Sequence, residues 1–274
     1  MMLRKRSLGL LRNVFAWVLS LLMFIPLLLI VLNSLKDKIH ANTMSMALPR
    51  KLEWSNYSVV IKEGKLISSF FNSLFYASVS TVLGLLLASI AAYVFARNRT
   101  RLNRAMYLFV ILGIAMPINF VTTTKVMQLT HLMNTQLGII VLLAVISIPF
   151  SVFLIYGFVG SVPRELDEAG IVDGCSPLKL FFAVVLPLLA PVLVTVAILN
   201  FMGGWNDFVL PLYYLNSSDK WPMTLAVYNF FGRFQVNWNL VSADIVLTTL
   251  PVIVIYLLGQ KYIISGMTSG SVKG

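Results

Sequence analysis

Val162-Pro-Arg-Glu-Leu-Asp-Glu-Ala-Gly-Ile-Val-Asp-Gly-Cys-Ser-Pro-Leu-Lys-Leu-Phe-Phe-Ala-Val-Val-Leu-Pro187 lies between two long apolar runs and holds four of the ten acidic residues of the chain. They are Glu165, Asp167, Glu168 and Asp173. Elsewhere the chain is largely apolar or basic. An acidic insert broken by glycine and proline, set between apolar runs, reads as a surface for another protein to grip.

The insert carries its own punctuation. Ser161 is placed to cap a helix with Pro163 in its first turn, where a missing N–H costs little. Glu165, Asp167 and Glu168 then sit near the positive end of the helix dipole. Leu166, Ala169 and Gly170 follow at i, i+3 and i+4 and predict a small, flat side. Gly174 supplies a helix stop at positive φ. Ser176-Pro177 reads as a second cap and first helical position, launching the next apolar run. A helix this short needs a partner face to be stable. A lipid-bound interfacial helix would be basic, and this one is net acidic.

Working outward, the 274 residues are 58% hydrophobic, with a mean hydropathy of +0.87. Only 11% are charged, against about 25% in a soluble domain. Six segments approach the roughly 20 apolar residues that span a bilayer: near 13–33, 69–96, 105–129, 138–160, 178–204 and 240–262. The fold class is all-α integral membrane, a single six-span domain over 1–274. The first run reads as an uncleaved anchor, because it is too long for a signal core and ends in Asn33-Ser34-Leu35-Lys36 without a cleavage pattern.

Basic residues set the orientation. They are dense at Arg4, Lys5, Arg6 and Arg12, and again at Arg97, Arg99, Arg101 and Arg104. Arg164, Lys179, Lys261 and Lys273 fall on the same side. Lys36, Lys38, Arg50, Lys51, Lys62 and Lys65 are diluted over the opposite loop. Both termini and the acidic insert, 161–177, are thus expected in the cytoplasm, with loops 34–68 and 207–239 outside. Topology and membrane lipid account for the basic excess of 21 Lys and Arg over 10 Asp and Glu, so nucleic acid is excluded as a partner. The single cysteine, Cys175, allows no intrachain disulfide, and with only His40 and His131 no metal site is expected. No catalytic residue is expected.

Loop 207–239 holds nine aromatics, among them Tyr213, Tyr214, Trp221, Tyr228, Phe231 and Trp238. An interfacial belt and a docking surface both fit this density. Asn119, Thr122, Thr123, Asn200, Trp205 and Asn206 lie in or at the outer ends of spans three and five. Polar residues there are candidates for a solute pathway or for interhelical hydrogen bonds. Prolines 26, 117, 149, 187, 191 and 251 occur at or within spans; each removes a backbone hydrogen bond and can bend a helix.

Glu168-Ala169-Gly170, three residues, Gly174, nine residues, then Val184-Val185-Leu186-Pro187 resembles the EAA loop of permease subunits of bacterial ABC importers. That pattern is Glu-Ala-Ala, three residues, Gly, nine residues, Ile-x-Leu-Pro. Gly170 replaces the second alanine and Val184 the isoleucine. Asn134-Thr135-Gln136-Leu137-Gly138, Gly203-Gly204-Trp205-Asn206-Asp207-Phe208 and the tail Ser265–Gly274 resemble carbohydrate importers of the maltose type, specifically their smaller permease subunit. The resemblance covers essentially the whole chain.

It implies a type I importer permease fold in a bacterial inner membrane, with 161–177 as the coupling loop. Glu165, Leu166, Asp167, Glu168, Ala169, Gly170, Asp173, Gly174 and Pro187 would couple it to ATPase subunits. The partners implied are a second homologous permease, two ATP-binding subunits and an extracytoplasmic sugar-binding protein, which the loop aromatics would meet. ATP and Mg would sit on the partner subunits, since this sequence holds no Gly-x-x-x-x-Gly-Lys-Ser/Thr loop; the chain binds no cofactor itself. The alternatives are an importer of the same build for a non-sugar solute, and an autonomous secondary transporter, for which the sequence offers no internal repeat.

Overall fold

The structure is a computed structural model that describes the backbone of residues 2–232 and 235–269, and the side chains of 12–232 and 235–261. Phe234 and the tail beyond Ser269 fall outside the described residues, as do the side chains of Arg4, Lys5 and Arg6. The helices run α1 Met2–Ser34, α2 Lys38–Ala41, α3 Ser55–Glu63, α4 Leu66–Arg97, α5 Arg101–Ala115, α6 Phe120–Leu129, α7 Gln136–Val159, α8 Glu165–Val172 and α9 Pro177–Lys179. A π-helical turn, Leu180–Val185, leads into α10 Leu186–Leu188. Then follow α11 Ala190–Asn206, α12 Val209–Tyr214, α13 Met223–Ala226 and α14 Trp238–Ser269. A single β-bridge, Phe231 to Val236, is the only extended pairing among the described residues.

Among the described residues, four helices are long and apolar enough to cross a membrane: α1, α4, α7 and α14. The other two expected spans are broken. Where the sequence predicts one helix over 105–129, α5 and α6 meet at 114°. Pro117 lies in the gap, and Asn119 starts a fresh helix by accepting the Thr122 N–H at 3.0 Å. Thr100 caps α5 in the same way, from the Asn103 N–H at 3.2 Å. Where the sequence predicts one helix over 178–204, Pro177–Leu188 and Ala190–Asn206 bend by 80°. Pro187 and Pro191 flank that joint and cannot donate the backbone bonds a straight helix needs. The π turn just before it is a usual accommodation of such a defect. Pro26, Pro149 and Pro251, by contrast, sit inside continuous helices.

The chain divides into two compact units, 1–67 with 226–250, and 68–225 with 251–274. Buried polar groups knit the first. Asn56 Nδ2 donates to the carbonyls of Ser34 at 2.8 Å and Lys36 at 2.9 Å, and Asn56 Oδ1 accepts from Asn239 Nδ2 at 2.8 Å. Lys36, 2% exposed, donates from Nζ to Asn33 Oδ1 at 3.0 Å and to the Ser45 carbonyl at 2.6 Å. Burial holds its pKa below the usual lysine value. Asp37 caps α2 through the Ile39 and His40 N–H groups, and those bonds with the His40 ring lower its carboxyl pKa.

The second unit is built around α4 and α7. On α4 the buried positions include Ser69, Ser73, Tyr76, Ala77, Ser80, Thr81, Gly84, Ala88, Ser89 and Ala92, at helical spacing. Phe71, Phe75, Val82, Leu87 and Val94 point outward. Small residues inside let backbones approach where lipid supplies no hydrophobic drive between helices. Two apolar clusters result. One joins Ala88, Ala92, Val152, Ile155, Phe181, Val185, Leu189 and Val196; the other joins Tyr76, Met127, Ile139, Leu143, Leu210 and Tyr214.

Candidate functional site: the acidic helix and a cavity along three helices

Helix α8 begins at Glu165, with Arg164 beside it and no side-chain cap. Ser161, expected to cap it, instead donates back to the Phe158 carbonyl at 2.7 Å and closes α7. The other end follows the glycine signal. Gly174 has φ +78°, its N–H reaches the Ile171 carbonyl at 3.0 Å, and the Cys175 N–H reaches Gly170 at 2.9 Å. That pair of bonds is a Schellman stop. Ser176 then caps the next segment by accepting the Lys179 N–H at 3.4 Å, with Pro177 at the first position.

The helix has two faces. Asp167 and Gly170 are buried. A Cβ on Gly170 would lie 2.5 Å from Leu180 Cδ1, so α8 packs closely on the following turn and a larger residue there requires the leucine to move. Gly170→Val is expected to loosen α8 at a cost of about 1–3 kcal/mol, typical of overpacking. Faster tryptic cleavage after Arg164 and Lys179 would register it.

Asp167 Oδ2 pairs with Arg97 Nε at 2.5 Å, the two side chains being 13% and 14% exposed. Tyr93 adds a hydroxyl at 3.4 Å from Asp167 Oδ1. Arg97 Nη2 also donates to the Val162 carbonyl at 3.1 Å. Tyr93 in turn packs on Phe181, ring centres 5.4 Å apart. The last turn of α4 thus holds α8 from inside.

The opposite face presents Glu165, Leu166, Glu168, Ala169, Ile171 and Val172, all exposed. The expected flat side of Leu166, Ala169 and Gly170 is therefore split, with Gly170 turned inward. Ile171 and Val172 were not among the expected contact residues, yet Val172 is 86% exposed. Two β-branched apolar side chains in a short charged helix were the signal available for them. Asp173 and Gly174 close the exposed end, and Pro187 lies beyond the π turn.

A cavity of about 260 Å³ lies along α4, α7 and α11, lined by Ser80, Thr81, Leu143, Ile146, Ser147, Phe150, Leu199, Asn200, Gly203, Gly204 and Asp207. On α4 and α7 its lining, apart from Leu143, falls between the buried residues of the two apolar clusters. Asn200 Nδ2 donates to Ser151 Oγ at 3.0 Å. Thr81 Oγ1 is buried without a partner. Asp207 Oδ1 accepts the Leu210 N–H at 2.9 Å, and burial raises its pKa against the pull of that bond.

Of the six expected pathway residues, only Asn200 lines this cavity. Asn119 is spent as the α6 cap. Thr122 and Thr123 sit on α6, away from the cavity lining. Trp205 is 1% exposed, wedged between Phe70 and Phe201 at 5.7 and 5.9 Å, and Asn206 faces outward. Sequence reasoning missed Ser80, Thr81 and Ser147, whose hydroxyls look like routine small-residue packing.

The loop aromatics divide similarly. Tyr214 is fully buried, its hydroxyl on the Phe120 carbonyl at 3.3 Å, and the Trp221 indole donates to Leu215 at 3.0 Å. Tyr213, Tyr228 and Phe231 are exposed. Tyr228 stacks on Phe231 at 5.1 Å, and Trp238 stands 6.3 Å from Phe231. No group of three or more metal-ligating side chains occurs among the described residues.

An all-α membrane fold with an acidic helix outside its spans and a mainly apolar cavity carrying a few hydroxyl and amide groups among them defines a transport subunit rather than an enzyme. The profile of the binding-protein-dependent transport system inner membrane component family matches residues 80–269, and the chain belongs to that family. It is 34% identical over 267 residues to the putative ABC transporter permease protein ORF2 of Caldicellulosiruptor sp. (strain Rt8B.4), covering 95% of this chain and 96% of that one. It is 33% identical over 254 residues to the melibiose/raffinose/stachyose import permease protein MelC of Bacillus subtilis (strain 168), covering 92% of each. The probable starch degradation products transport system permease protein AmyC of Thermoanaerobacterium thermosulfurigenes is 30% identical, covering 93% of this chain and 94% of that one. A solved bacterial ABC transporter involved in alginate import shares the fold, with a TM-score of 0.82 over 94% of this chain and 96% of that one, at 22% identity. The chain is a multi-pass membrane permease subunit with the type I importer fold.

Proposed function

We propose that this chain forms half of the translocation pathway of an ATP-driven importer of oligosaccharides. The observation that carries the reading is α8. Its inner face is pinned to the chain's own α4, while its outer face leaves Leu166, Glu168, Ala169, Ile171 and Val172 exposed. An acidic and apolar ridge of this kind fits a groove on an ATPase subunit, where Glu168 can make charge-assisted hydrogen bonds. The permeases named for starch products and for raffinose-type sugars support oligosaccharide as the solute class.

In this reading α8 and both termini face the cytoplasm. Two ATP-binding subunits carry ATP and Mg. A second homologous permease completes the pathway, with the cavity on α4, α7 and α11 as this chain's share of its wall. An extracytoplasmic binding protein docks against Tyr228, Phe231 and Trp238.

The test is a tagged chain expressed with its genomic neighbours. ATPase subunits, a second permease and a binding protein are expected to co-purify, and vesicles bearing them to accumulate radiolabelled raffinose or maltotetraose only with ATP. Glu168→Lys is expected to cut uptake at least tenfold while the chain remains in the membrane. Uptake at the unsubstituted rate in that variant, or uptake without ATP, would overturn the reading.

A further inference from the structure

We infer that α4 is a second output arm, through which movement of α8 reaches the cavity directly by way of the Arg97–Asp167 ion pair. The inference rests on the reading of α8 as the ATPase contact. In that reading the segment that follows α8 in sequence is the expected route for the movement. That route is jointed: the π turn Leu180–Val185 is followed by a bend of 80° before α11 begins. A push delivered at α9 therefore meets a sharp elbow before Asn200 and Gly203.

The route through α4 has no such elbow. Helix α4 runs unbroken from Leu66 to Arg97 and contains no proline. Its last turn grips α8 through the buried pair at 2.5 Å, the Tyr93 hydroxyl and the Arg97 bond to Val162. Arg164 reaches back to the Ala96 carbonyl at 3.5 Å. Sixteen residues toward the other end, Thr81 lines the cavity beside Ser80. At 1.5 Å per residue that is a stiff rod of about 24 Å. A tilt imposed at Arg97 is thus delivered at Thr81 as a displacement of one cavity wall. The opposite wall, on α11, is moved through the elbow.

Asp167 and Arg97 are on this account positioning residues: they touch neither nucleotide nor solute. The experiment uses the complete importer in vesicles, on a Cys175→Ser background, with single cysteines at T81C or L199C probed by a maleimide. ATP with vanadate is expected to shift the labelling rate at both probes. In Asp167→Asn the T81C shift is lost, the L199C shift persists, and ATP hydrolysis continues. The exchange R97D with D167R brings the T81C shift back. A T81C shift of unsubstituted size in Asp167→Asn overturns the inference, and so does simultaneous silence of both probes, which would mark general disruption. A third probe, L166C, separates the two readings. If the ATPase subunits do not protect it from the maleimide, the underlying contact is wrong; if they do, only the α4 arm is at stake.

Discussion

Arg97→Met is expected to destabilise the chain by about 3–5 kcal/mol, because it strands a buried carboxylate. Asp167 is nearly enclosed, and its charge is balanced by the guanidinium at 2.5 Å and a tyrosine hydroxyl. Removing the cation also frees the Val162 carbonyl, which Arg97 satisfies at the start of the loop into α8. For a chain of this size such a loss corresponds to a fall in unfolding midpoint on the order of 10 °C. The measurement is the temperature at which detergent-solubilised protein leaves the monodisperse chromatographic peak. The double substitution Arg97→Met with Asp167→Leu is expected to recover most of the loss, since an apolar replacement of a buried pair is often neutral. A midpoint unchanged in the single variant would show that water reaches the pair. Stability and coupling then separate cleanly: the apolar double variant keeps α8 in place yet lacks the charged grip on α4.

Asn56→Leu is the second large effect. One amide closes three connections, to the carbonyls of Ser34 and Lys36 and to the side chain of Asn239. Both carbonyls are acceptors, which fixes the orientation of the amide: Nδ2 faces them and Oδ1 faces Asn239. Leucine fills the space but leaves three polar groups without partners, at about 1–3 kcal/mol each. The loss falls on the first compact unit, which holds α1 to α3 and 226–250. Trypsin is expected to cut at Lys51, Lys62 or Lys65 in membranes bearing the variant, and slowly or not at all in the parent. Equal resistance in both would mean that the α3 region is held by other contacts.

Much of the acidic helix was legible because its signals are local. Gly174 and Ser176-Pro177 act on backbone bonds within a few residues, so spacing alone locates the turn and the restart. The start was misread because Ser161 had two uses open to it, forward as a cap or back onto Phe158, and only packing chooses. Asp167 was placed with its neighbours on the contact ridge; its inward role depends on Arg97, seventy residues away, which no local pattern reports. The breaks after Ala115 and Leu188 were half visible as prolines. Pro149 and Pro251 stand in equally apolar surroundings without ending their helices, so proline alone does not separate a break from a tolerated bend. The cavity was the least legible part. Its hydroxyls are spaced like packing serines, and the more conspicuous Trp205 belongs to the packing instead.

The inverted arrangement on α4 has a wider consequence. In water, a helix advertises its inner face by greasiness; here the outer face is the greasy one, and small size marks the inside. A plot of side-chain volume against position would recover the stripe from Ser69 to Ala92 that a hydropathy plot averages away. The same asymmetry governs which changes the helix can absorb. Exchanges among Leu, Ile, Val and Phe on the outer side alter only which lipid tails they touch. Adding two methyl groups on the inner side, as in Ala88→Val, wedges neighbouring helices apart. Substitution matrices learned from water-soluble proteins, which treat both as mild, would misjudge this helix along its whole length.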